Sequence, residues 1–195
     1  MDKIIEGNEW VDIVVKQPLN ESDAPYIHFQ NKKETVAAII YDMYTQEYIL
    51  RVEPTLPSNF SPVPKIMSET MEGDETSDMA LIRGIKEELG LDISEDSFAY
   101  LGKLKGTYES LHNFYLYFVI VDGYNTYSDF EGDGSEGERN SMNLKVRPDM
   151  IITEDWLWLT AFGLLKAKLA SGDEAIMELL QRFLSLDYLQ LNAIL

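Results

Sequence analysis

Between residues 72 and 91 the chain reads EGDETSDMALIRGIKEELGL. Glu87 and Glu88 are adjacent, Arg83 stands four residues before Glu87, and Glu72, Asp74 and Glu75 crowd the preceding stretch. Successive residues on a helix are about 100° apart, so Glu87 and Glu88 can converge on one point above a face. The spacing from Arg83 to Glu87 lets the guanidinium brace the carboxylate. Clustered carboxylates repel one another unless a cation neutralises them. A hard ion with oxygen ligands, Mg²⁺ or Mn²⁺, suits such a cluster and accepts phosphate oxygens at its open positions. The chemistry this points to is attack of a metal-activated water on a phosphoanhydride, with charge on the leaving phosphate offset by the same ion.

These residues need a helix and a sheet to carry them. Ser77 to Leu89 has the helical period: Leu81, Ile82, Ile85 and Leu89 share one face, with Arg83, Gly84, Glu87 and Glu88 opposite. Ser77 is the expected N-cap, Asp78 suits the positive end of the dipole, and Gly90 is the expected stop. Thr35 to Tyr44 and Tyr48 to Val52 read as strands joined by a hairpin-sized turn. Pro54, Pro57, Pro62 and Pro64 predict an extended loop. Phe98 to Lys105 and Leu111 to Val121 are rich in aromatic and branched residues and read as strands. Asp129 to Asn140 (DFEGDGSEGERN) reads as an acidic, glycine-rich surface loop. Trp156 to Leu159 reads as a short strand, with Trp156 and Trp158 packing on one side, and amphipathic helices are expected over Ala161 to Ala170 and Asp173 to Leu186. Within the first 33 residues, Trp10 to Val15 and Tyr26 to Phe29 are strand candidates. The expected class is α/β: a mixed sheet packed between helices, with an N-terminal strand-bearing extension over 1–33 and the main domain over 34–195.

Composition narrows the function. The chain has 195 residues, with 16 basic against 34 acidic side chains and a net charge of −18. It has no cysteine, which excludes disulfide scaffolds, thiol catalysis and cysteine-ligated metals. Two histidines, His28 and His112, leave little for a histidine cage and are more simply structural. The acidic balance argues against nucleic acid as a partner, because phosphate-backbone binders cluster Lys and Arg. It leaves room for a small phosphorylated ligand held through a metal. No apolar run approaches the roughly 20 residues of a spanning helix, and the first ten residues lack the pattern of a signal peptide. No membrane partner and a cytoplasmic location are therefore expected.

Acidic residues on a helix are ordinarily a solvated face. Here the wider spacing separates them from that case. Glu75, Arg83, Ile85, Glu87, Glu88, Gly90 and Leu91 meet seven of the nine specified positions of G-x5-E-x7-R-E-U-x-E-E-x-G-U, where U is aliphatic. This closely resembles the Nudix box, the loop–helix–loop signature of the Nudix hydrolases. The resemblance spans roughly Thr35 to Leu180 and implies an α/β/α sandwich. It also implies Mg²⁺ or Mn²⁺ as cofactor, and a nucleoside diphosphate linked to another moiety as substrate. Glu87 and Glu88 are then metal ligands, Arg83 orients Glu87, and Glu75 supports the loop. Two positions depart from the pattern: Glu69 stands at the opening glycine, and Gly84 stands where a glutamate follows the arginine. Glycine in mid-helix costs about 1 kcal/mol relative to alanine. Either fewer metal ions bind, or another carboxylate substitutes, with Glu69 the candidate metal ligand, or the box binds without cleaving.

Among the family's branches, the ADP-sugar pyrophosphatases are similar in layout. That likeness makes Glu136 or Glu138 of the acidic loop the candidate that positions or deprotonates the attacking water. Tyr108 lies near where dinucleoside-polyphosphate hydrolases carry a tyrosine. Tyr108 and Phe29 are candidates to stack on a base, and Arg51 is a candidate phosphate contact. An ADP-ribose-like compound and a dinucleoside polyphosphate both remain open as substrates. So does a different class of function, in which the altered box binds a nucleotide or a protein without cleaving. The apolar end from Leu184 to Leu195 would suit a homodimer contact or packing within the chain.

Overall fold

The computed structural model describes residues 3–16, 26–54, 62–105, 110–123, 141–151 and 155–184. Its centre is β4 (Thr35–Asp42), buried along its whole length. That burial explains why TVAAIIYD is almost continuously apolar rather than alternating. β4 runs parallel to β10 (Asn113–Val121) and antiparallel to β5 (Glu47–Pro54), making the sheet mixed, as expected. β8 (Phe98–Lys105) closes one edge against β10, and β11 (Met142–Val146) closes the other against β5. Two short strands complete the sheet. β6 (Pro62–Lys65) pairs with β5, and β7 (Met67–Thr70) pairs with β4.

The sheet is covered on both faces. Helix α1 (Ser77–Leu89) lays Ala80, Leu81, Ile85 and Leu89 on Val36, Ala38, Ile40, Tyr117 and Val119. The opposite face, through Ala37, Ile39, Tyr41, Leu116 and Phe118, takes α2 (Trp156–Ser171) and α3 (Glu174–Leu184). Alternate residues of one strand therefore enter two separate cores, the consequence of the period of two. The result is the expected α/β/α sandwich. A second sheet is formed by β1 (Lys3–Gly7), β2 (Val11–Lys16), β3 (Tyr26–Asn31) and β9 (Ser110–Leu111), in that order. The N-terminal strands thus form their own layer, tied to the main domain through β9.

Several local expectations are corrected. Trp156 to Leu159 is not a strand but the first turn of α2, with Asp155 as N-cap accepting from the Leu157 amide at 3.0 Å. Trp158 is buried and Trp156 exposed, because a helix separates residues that a strand would put on one side. The cap of α1 is Thr76, whose hydroxyl accepts from the Met79 amide, rather than Ser77. Pro54 ends β5 and Pro62 and Pro64 lie in β6, at the sheet periphery where proline is tolerated, rather than in a loop, and Pro57 lies outside the described residues. No described helix is long and apolar enough to cross a membrane.

Candidate active site

The site is built where β7 delivers the chain into the loop before α1. Arg83 projects from the helix back over that loop and gathers carboxylates from three elements. Its Nη2 donates to Glu75 Oε1 at 2.8 Å, and its Nε donates to Glu75 Oε2 at 3.3 Å. Its Nη1 donates to Glu87 Oε2 at 2.8 Å, one helical turn on. The same Nη1 lies 3.3 Å from Glu69 Oε1 on β7. Nη2 also donates to the Thr70 carbonyl at 2.8 Å, which fastens strand to helix. Glu75 accepts in addition from the Glu72 amide at 2.5 Å, so one carboxylate shapes the loop and holds the arginine.

The electrostatics follow from these contacts. The Arg83 hydrogen bonds hold the Glu75 carboxyl below the usual carboxylate range. The Glu75 contact in turn holds the Arg83 guanidinium above its ordinary value. Burial pushes Glu69 up; Arg83 and the Thr70 amide, which donates to Glu69 Oε1 at 2.8 Å, act against that rise. Three carboxylates thus share one guanidinium, leaving two negative charges in excess when all are ionised. The Glu87 side chain is 39% exposed, open to an approaching ligand.

Glu88 is handled differently. Its Oε2 lies 2.6 Å from Arg51 Nε, and the pair is buried, with Glu88 7% and Arg51 3% exposed. Arg51 Nη1 also donates to the Glu88 carbonyl at 3.3 Å, and Asn143 Nδ2 donates to the same carbonyl at 2.9 Å. The expectation that Glu87 and Glu88 turn toward one point is corrected: each is turned onto an arginine of its own. The expectation that Arg51 meets a phosphate is also corrected, because its guanidinium is buried behind Glu88. Gly84 and Glu88 belong to the buried flank of α1 rather than to its solvent side. Asn143 was not a candidate from sequence. Its signal is the short alternation in MNLKV, which becomes legible only once β5 is available to pair with it.

Glu136, Glu138 and Tyr108 lie outside the described residues. Phe29 is half exposed on β3, in the N-terminal sheet, where it pairs with Ile13 and Ser110. Among the described residues, no three acidic or histidine side chains stand in a ready cluster for a metal ion. The donor chemistry nonetheless fits a hard divalent cation: the groups on offer are carboxylate oxygens, with negative charge in excess.

No family model matches the sequence. No curated protein is similar to it in sequence. Solved structures are similar in fold. The chain superposes on the crystal structure of an ADP compounds hydrolase with a TM-score of 0.64 at 14% identity, over 89% of this chain and 94% of that one. It superposes on a NUDIX hydrolase from Nitrosomonas europaea with a TM-score of 0.51 at 16% identity, over 69% of this chain and 88% of that one. The architecture is therefore that of the Nudix hydrolases, the fold implied by residues 75–91.

Proposed function

We propose that the protein is a Mg²⁺- or Mn²⁺-dependent hydrolase that cleaves the phosphoanhydride of a nucleoside diphosphate joined to another group. The observation that carries this reading is the convergence of Glu69, Glu75 and Glu87 on the single guanidinium of Arg83. An excess of carboxylate beside one arginine is costly unless a cation completes it. Glu69 and Glu87, which share Arg83 Nη1, would hold that cation, and Glu88 would join them only by leaving Arg51. Bound there, it lowers the pKa of water and offsets charge on phosphate oxygens.

The chain's own residues do the positioning. Arg83 fixes the rotamer of Glu87, and Arg51 fixes that of Glu88, so two neighbouring glutamates are each oriented by a separate guanidinium. Glu75 keeps the loop closed over the helix start. Glu136 or Glu138 is assigned the proton of the attacking water, and Tyr108 or Phe29 the face of the base. Of the two substrate classes, an ADP-ribose-like compound is favoured by the likeness in fold to an ADP compounds hydrolase over most of both chains.

The test is incubation with ADP-ribose, ADP-sugars and dinucleoside polyphosphates in Mg²⁺ or Mn²⁺, with products resolved by chromatography. A nucleoside monophosphate is expected from at least one compound, and Glu87→Gln is expected to remove most of that turnover. A second reading, binding without cleavage, is favoured by the glycine at 84. Melting shifts with ADP-ribose in the absence of any product would support it against the first.

A further inference from the structure

Gly84 sits in the middle of α1 with ordinary helical backbone, so no unusual φ requires a glycine there. Alanine would stabilise an exposed helix at such a position by about 1 kcal/mol. The reason for glycine is therefore steric. A Cβ at residue 84 would lie 2.7 Å from Glu69 Cβ and 2.8 Å from Glu69 Cγ, closer than real side chains approach. Those are stem atoms, not the far end of a flexible chain. The Glu69 Cβ is fixed by the backbone of β7, where the residue pairs with Val36 of β4, so turning Cγ about χ1 would still leave the 2.7 Å contact in place. Beyond that contact the Glu69 side chain continues over the helix, and Oε1 arrives beside Arg83 Nη1, the nitrogen that also holds Glu87.

From this fit we propose that Glu69 and Gly84 are one unit. The strand delivers across the bare helix position the carboxylate that residue 84 does not supply, and residue 84 is glycine so that it can. Glu69 is then an acidic ligand of the cation site beside Glu87, with which it shares Arg83 Nη1. This rests on the proposed cation-dependent reading and adds to it a specific source for the missing carboxylate. It also changes what a simple reversal at 84 means. Gly84→Glu alone drives a new side chain into the Glu69 stem, so loss of function in that variant reports a collision rather than a superfluous carboxylate.

The experiment is an exchange cycle read by Mn²⁺ binding in electron paramagnetic resonance and by thermal melting of the full chain. Glu69→Gln keeps the stem and removes the charge. It is expected to melt close to the wild type and to weaken Mn²⁺ binding at least about tenfold, since affinity follows the charge count of the ligands. Gly84→Ala is expected to lower the melting temperature of the wild type, and to raise it when Glu69 is also glycine. Glu69→Gly with Gly84→Glu returns a carboxylate from the helix side and is expected to recover most of the Mn²⁺ affinity that Glu69→Gly loses. Unchanged Mn²⁺ binding by Glu69→Gln overturns the proposal, as does a folded double variant that recovers nothing. If the wild type binds Mn²⁺ through Glu69 yet cleaves no substrate, the hydrolase reading fails and this inference stands. If the wild type cleaves substrate and Glu69→Gln binds and cleaves as well, only this inference fails.

Discussion

Arg83 and Arg51 meet adjacent glutamates of one helix, yet they make opposite kinds of site. Arg83 is partly exposed and faces three carboxylates. Arg51 is buried and its guanidinium lies against the Glu88 carboxylate and carbonyl. The first assembly carries surplus negative charge at the surface, where a mobile cation can complete it. The second is a matched pair in a low-dielectric setting, where neither partner tolerates loss of the other. The lesson is one of division. The buried pair pins the end of α1 to β5, and the exposed cluster is left free to respond to a ligand.

The comparison is broken most severely at Arg51. Arg51→Ala leaves a buried carboxylate without its cation and is expected to cost about 3–5 kcal/mol in urea unfolding. Replacing both Arg51 and Glu88 by methionine is expected to recover most of that stability while turnover stays lost. Such a result separates what the pair does for the fold from what the proposed reaction requires of it. Glu87→Gln is the converse break. It is expected to lower turnover about a hundredfold, equivalent to about 2.7 kcal/mol of barrier. The same change should move unfolding stability by less than about 0.5 kcal/mol, as for other exposed positions.

Smaller effects sharpen the contrast through pH. Glu75 is held below the usual carboxylate range by Arg83, and Glu34 is held below it by Lys103. A carboxyl whose folded pKa is depressed stabilises the fold above its unfolded pKa, and that contribution is lost as pH falls through the folded value. Unfolding stability should therefore decline as pH drops below about 4.5. Glu75→Gln and Glu34→Gln should each flatten part of that decline. Urea titrations at several pH values from 6 down to 3 check this, and an unchanged slope in both variants would remove these groups from the acid response.

The helix of the site was legible in advance because its period, its acidic first turn and Gly90 all agree. The strands β4 and β10 were legible because central strands are apolar on both faces. Trp156 to Leu159 misled because alternating large residues mimic a strand, whereas the Asp155 cap and a neighbouring core turn them into a helix. The strands at Met67–Thr70 and Met142–Val146 have too little apolar pattern of their own, and exist because β4 and β5 offer open edges. The box residues could be named from spacing, but their partners could not. Arg51 and Glu88 are 37 residues apart, and nothing local joins them. The fit of Glu69 over Gly84 is likewise a property of two elements in contact, invisible until strand and helix are placed together.

Calorimetric titration of Mn²⁺ into the wild type and into Glu87→Gln, side by side, tests the central claim most directly. The surplus charge around Arg83 predicts saturable uptake by the wild type and a marked loss of affinity in the variant. Absence of uptake by the wild type, or equal uptake by both, would contradict it.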